Sequence, residues 1–157
     1  MPRHNYPVTV AWTGNLGTGT SAYDAYSRSH LIRIAGKEAI EGSSDPAFHG
    51  DATRHNPEEM LVASVSSCHM LWYLHLCMEQ GVVVTGYSDE AQGTMEEHGM
   101  KGGKFTEIVL RPKVTIGAGG DIKLAQSLHE AAHKLCFVAN SLSVPLRCEA
   151  QIEYSVA

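Results

Sequence analysis

The 157-residue sequence predicts an α+β fold, with antiparallel sheet, a long central buried helix and a second, shorter helix. Three observations carry this. Strand-like segments come in groups around two helical segments and do not alternate with helices one for one, as a doubly wound sheet would require. Neighbouring strand candidates are joined by short glycine-containing turns, at Gly36-Lys37 and in "HGMKGGK". The run Asn56-Pro57-Glu58-Glu59 is a well-marked helix start.

In chain order, Tyr6 to Trp12 ("YPVTVAW") alternates and is β-branched, as a strand should be. The glycine-rich "TGNLGTGTS" after it lacks the Lys-Ser/Thr ending of a phosphate loop and reads as a turn or mobile loop. "RSHLIRIAGKEAIEG" reads as two short strands, and "SSDPAFHGDATRHN" as a polar loop. The first helix should start with Asn56 as N-cap, in capping-box spacing with Glu59, and run to about Gln80 with Gly81 as its stop. It is apolar on nearly all sides from Leu61 to Met78, which predicts burial all round.

"VVVTGYSDEAQGTMEE" and "KFTEIVLRPKVTIG" read as two strands. The second alternates Phe105, Glu107, Val109 and Arg111 against Thr106, Ile108 and Leu110. Asp121 should cap a second helix over Ile122 to Asn140, with Leu124, Leu128, Ala131, Leu135 and Val138 as its apolar stripe. "PLRCEAQIEYSV" closes the chain as a strand, and residues 1–157 read as a single domain.

Hydrophobic content of 43% and charged content of 18% are those of a globular protein. A net charge of −5 gives no reason to expect a nucleic-acid or membrane partner. The N-terminus has no apolar signal-peptide core, and the longest apolar run, Met70 to Met78, falls short of the ~20 residues of a membrane helix. The expected location is the cytoplasm.

The cysteines stand at 68, 77, 136 and 148, without the C-x-x-C of a zinc ribbon or a thioredoxin. A reducing cytosol argues against permanent bridges. Cys77 and Cys148 read as structural. Cys68 would react as its thiolate and needs a positive group nearby. It lies twelve residues past Asn56, roughly 18 Å along the axis at ~1.5 Å per residue, beyond the reach of its helix dipole. His69 points about 100° away on the helix and has no assignable role.

The second helix turns His129, His133 and Cys136 in a common direction. Three readings stay open on spacing. The group is a metal site with Cys68 as the fourth ligand. Alternatively, Cys136 resolves an oxidised Cys68. Or both thiols are core, with the histidines at the helix surface.

"NPEEMLVASVSSCHM" resembles the first cysteine motif of the OsmC/Ohr family, the osmotically inducible protein C and organic hydroperoxide resistance proteins. "AHKLCFVANSL" resembles its second. The resemblance implies an OsmC-like fold and a thiol-dependent peroxidase acting on organic hydroperoxides, with no cofactor and no metal. It implies Cys68 as the peroxidatic thiol, Cys136 as its resolving, disulfide-forming partner, and Glu58 as the functional glutamate. It also implies an arginine holding the thiolate: Arg28 in "AYSRSH", with Arg33 and Arg54 as alternatives. An intertwined homodimer with interface active sites and a lipoyl-type dithiol reductant are implied as well.

"SSCHM" and "YSRSHLIRIAGK" depart from the peroxidase branch and point to a broader OsmC-like subgroup. Glu58 and Cys68 are ten residues apart, about 15 Å along an unbroken helix, and on different faces. One active site containing both requires a helix break or a Glu58 from the second subunit. The competing functions are a non-enzymatic thiol redox sensor, an apolar-ligand-binding dimer, and the Cys/His metal site.

Overall fold

A computed structural model describes residues 1–156. The chain forms two compact units, Met1–Met60 and the remainder from Leu61 on. The first unit is a three-stranded antiparallel sheet of β1 (Thr9–Trp12), β2 (His30–Arg33) and β3 (Ile40–Gly42). The glycine-rich loop after β1 is organised by Asn15, whose Oδ1 accepts from the backbone of Gly17 (2.9 Å) and Gly19 (3.0 Å). Gly36 takes the left-handed conformation at φ 78°, where a side chain would be strained. The β2–β3 ladder opens at Ile32 and Ile40, so the connection is longer than a two-residue hairpin.

Helix α1 (Pro57–Glu79) opens on the expected capping box. Glu59 N–H donates to Asn56 Oδ1 (2.9 Å), and Asn56 N–H donates back to Glu59 Oε1 (3.2 Å). The helix ends in a Schellman motif at Gly81, φ 75°, where Val82 N–H reaches Cys77 O (2.8 Å) and Gly81 N–H reaches Met78 O (3.3 Å).

Its burial departs from expectation. Only Val65, His69, Tyr73 and Cys77, one stripe at i, i+4 spacing, are buried, while Leu71 and Met78 are 63% and 64% exposed. An apolar 18-residue window of this 23-residue helix has mean hydropathy 1.3, so by length and composition it could cross a bilayer. Core helices of soluble proteins pass the same test, and the buried stripe of this one, residues 65–77, forms part of the core within the second unit.

The second unit holds β4 (Val84–Asp89), β5 (Gln92–Glu97), β6 (Gly103–Leu110), β7 (Pro112–Ile116), β8 (Leu146–Cys148) and β9 (Gln151–Tyr154). Each of the three long strands expected here is therefore divided in two, and the halves join different sheets, β4-β7-β9 and β5-β6-β8. The cause lies at the corner. Asp89 Oδ1 accepts Arg111 N–H (2.7 Å), and its Oδ2 accepts Ser66 Oγ–H (2.6 Å). Pro112 then supplies no ladder donor. Ile108, Val109 and Leu110 are all buried, so the clean alternation read across this segment does not sort it into two faces. The sheets are also mixed: β4/β7 and β5/β6 are antiparallel, but β8 and β9 run parallel to β6 and β7. The intervening helix makes that crossover possible.

That helix is α2 (Ile122–Leu135), N-capped by Asp121, whose Oδ1 accepts Leu124 N–H (3.0 Å). It does not run on to Asn140. Cys136 leaves the helical conformation (ψ 111°) and caps the short α3 (Phe137–Asn140). The buried face of α2 is Ala125, Leu128, His129 and Ala132, one step round from the stripe of large residues, and Leu135 is 40% exposed. Small alanines allow close approach, so the face is chosen by fit as well as hydrophobicity.

One core joins Tyr73, Cys77, Val114, Ile116, Ala125 and Leu128, and another joins Val65, Ile108 and Leu110. Gly93 marks a close approach beside the latter, since a Cβ there would lie 2.6 Å from Val62 Cγ2 and 2.7 Å from Phe105 Cε1. Val62 is stiff in a helix. Gly93→Ala is therefore expected to cost about 1–3 kcal/mol, measurable by urea unfolding.

Candidate functional site: a thiol pair and a buried histidine pair

The two thiols singled out in the sequence meet. Cys68, half-buried on α1, neighbours Cys136 closely enough to raise its pKa, and both are unbridged. Cys136 is 1% exposed, and its Sγ accepts Ala139 N–H (3.4 Å) as the N-cap of α3. Burial chiefly, then contact with Cys68, pushes the Cys136 thiol up to about 11, against the pull of backbone N–H groups. At neutral pH it is a protonated thiol beside Cys68, in the position of a proton-bearing partner.

The histidines are arranged differently from the expectation that His129, His133 and Cys136 share a direction. The break at Cys136 takes the thiol off that face, and His133 is exposed. His129 turns inward and is 4% exposed. It stacks on Tyr73 (centroids 3.9 Å apart, 7° between planes), and its Nδ1 is 3.0 Å from His69 Nε2. Tyr73 in turn donates to Ala125 O (3.0 Å). His69, which had no role in the sequence reading, is the other half of this pair and is 1% exposed.

Desolvation holds both rings neutral, lowering His69 to about 4 and His129 to about 3, with nearby Asp89 opposing the shift at His69. Cys148, exposed as a residue, turns its sulfur inward to 4.0 Å from His69 Nε2. A cavity of about 440 Å³ opens here, lined by His69, His129, His133, Glu130, Arg147 and Cys148 among others, and not by Cys68. The metal reading built on Cys68, His129, His133 and Cys136 therefore has the wrong members: among the described residues, the donors that cluster are His69, His129 and Cys148.

Glu58 sits at the start of α1, which is unbroken, and its Oε2 is buried without a hydrogen-bond partner. Arg28 uses its donors on backbone, Nη1 on Tyr26 O (2.7 Å) and Nη2 on Tyr23 O (2.6 Å), with its guanidinium 3.9 Å above the Tyr26 ring. It does not pair with Glu58. Arg33 is exposed, and Arg54 links β3 through Glu41 (3.9 Å), β2 through His30 O (3.3 Å) and its own loop through Asp51 (3.9 Å).

Residues 49–150, well over half the chain, match the family described as OsmC-like protein. The uncharacterized protein YmaD of Bacillus subtilis is 23% identical over 161 residues, which cover 98% of this chain and 97% of that protein. A solved OsmC-like protein of unknown function from Vibrio cholerae superposes with a TM-score of 0.83 at 28% identity, over 95% of this chain and 100% of that one. The organic hydroperoxide resistance protein OhrB of Bacillus subtilis shares the fold, with a TM-score of 0.61 at 19% identity, over 96% of this chain and 98% of that one.

Proposed function

Because the chain belongs to the OsmC-like protein family, we propose that it is a cytoplasmic, thiol-dependent peroxidase that reduces organic hydroperoxides to alcohols. The observation that carries this is the proximity of half-buried Cys68 to buried, protonated Cys136. The Cys68 thiolate attacks the distal peroxide oxygen. An S–O bond forms, the O–O bond breaks, and the leaving alkoxide takes up a proton as the alcohol. Cys136 then attacks the Cys68 sulfenic acid, releasing water and leaving a disulfide. An external dithiol, of lipoyl type by the family resemblance, exchanges with that bond and restores both thiols.

The active form in this reading is a homodimer. Two features favour it. Leu71 and Met78 on α1 and Phe137 on α3 (69% exposed) are large apolar surfaces without cover in one chain. Glu58 Oε2 is buried without a partner, which a guanidinium from a second chain would satisfy. Arg28, Arg33 and Arg54 remain the candidates for that guanidinium, with Arg28 requiring release from its backbone carbonyls.

Purified reduced protein is expected to consume cumene or tert-butyl hydroperoxide over many cycles when supplied with a dithiol such as dihydrolipoamide. Oxidation that stops after one equivalent per chain with every dithiol tried would instead identify a sensor.

A further inference from the structure

The peroxidase reading leaves the His69, His129 and Cys148 cluster without work. We infer that these three side chains form a binding site for one zinc-type divalent transition-metal ion, with its open coordination position facing the 440 Å³ cavity. The site shares no ligand with the Cys68–Cys136 pair.

Geometry is the first argument. The donor atoms of the three side chains all lie within 4.8 Å of one another, with 3.0 Å between imidazole nitrogens and 4.0 Å from Cys148 Sγ to His69 Nε2. Tetrahedral zinc has Zn–N of ~2.0–2.1 Å and Zn–S of ~2.3 Å, which places donors about 3.3 to 3.6 Å apart. The imidazoles need to separate by only a few tenths of an ångström. The remaining closure falls on Cys148, on the short strand β8, through a change of its side-chain torsion.

Chemistry is the second. Two imidazoles and one thiolate suit zinc, and three protein ligands leave the fourth position free. His129 is stacked on Tyr73, so its ring is pre-oriented. Its Nε2 is buried without a hydrogen-bond partner, so the polar capacity of the pair is not used up within the chain.

The charged groups felt at Cys148 and His69 include the carboxylates of Asp89 and Glu149, which favour a cation. The bound set of a dication and one thiolate carries +1, which Asp89 offsets. Binding breaks the Cys148 S–H bond and releases that proton to solvent. The imidazoles bind through neutral lone pairs, and no electron changes hands.

The test titrates reduced protein with Co²⁺ and then Zn²⁺, in a Cys68→Ser background so that the reactive thiol cannot contribute. One Co²⁺ per chain is expected, with a sulfur-to-cobalt charge-transfer band that Zn²⁺ abolishes. Cys148→Ser should remove the band and weaken Zn²⁺ binding by at least the 10- to 100-fold that loss of an outer-shell partner costs. His129→Gln should weaken it similarly, and an unchanged melting curve for Cys148→Ser controls for folding. Absence of a band, a band that survives Cys148→Ser, or one present only while Cys68 is intact would overturn the proposal. Since the background variant lacks the peroxidatic thiol, the result is independent of peroxidase activity.

Discussion

Cys68→Ser is expected to reduce hydroperoxide turnover to the uncatalysed background, while Cys136→Ser stops it after a single oxidation of each chain. A serine hydroxyl at position 68 provides no thiolate and no sulfenic acid. The second variant is the more informative because it is structurally mild. Cys136 caps α3 through Ala139 N–H, and serine is a good N-cap, so the local fold survives while the disulfide partner is lost. Cys68 should then accumulate as sulfenic and sulfinic acid, read by mass spectrometry, where the unmodified protein forms a Cys68–Cys136 disulfide. The assignment of roles has its own check. With its thiol pushed up to about 11 and buried, Cys136 should be alkylated by iodoacetamide at about pH 8 only after Cys68. Faster labelling of Cys136 would reverse the roles.

What was legible in the sequence was local. The Asn56–Glu59 capping box, the Gly81 stop and the Asp121 cap are contacts between residues close in sequence, and all three stand where the sequence puts them. The α+β class and the OsmC-like fold followed from element order and the two cysteine motifs.

What was hidden depends on residues far apart. The corner between β4 and β5 and between β6 and β7 is tied by Asp89 reaching Arg111 and Ser66, some twenty residues away in each direction. The break at Cys136 has neither glycine nor proline to announce it. On α1, apolar residues on all sides concealed which stripe is packed. The i, i+4 series Val65, His69, Tyr73, Cys77 was a usable signal, but what tells that stripe from its neighbours is its packing on β6, β7 and α2, all distant in sequence. His69 lacked a role because its partner, His129, is sixty residues on.

That same pair should make the fold acid-sensitive. Both imidazoles are buried and neutral, with His69 lowered to about 4 and His129 to about 3, against 6.5 for an ordinary histidine. As pH falls below about 6.5, the unfolded chain takes up protons that the folded chain refuses, so stability declines. The contribution is fully present above the unfolded value, and is lost as pH falls through the two folded values. Each shift is a differential interaction that favours the neutral ring, so the pair makes the fold's stability depend on pH across this range. Urea midpoints should therefore drop steeply between about pH 6.5 and 4. Acid-labile carboxylates would add to such a slope, so the decisive comparison is His129→Phe. Phenylalanine keeps the stack on Tyr73 but cannot be protonated, and it leaves His69 without its imidazole partner. The variant should start less stable at neutral pH and lose less on acidification. Parallel pH profiles for the two proteins would show that the buried imidazoles do not set the acid limit of the fold.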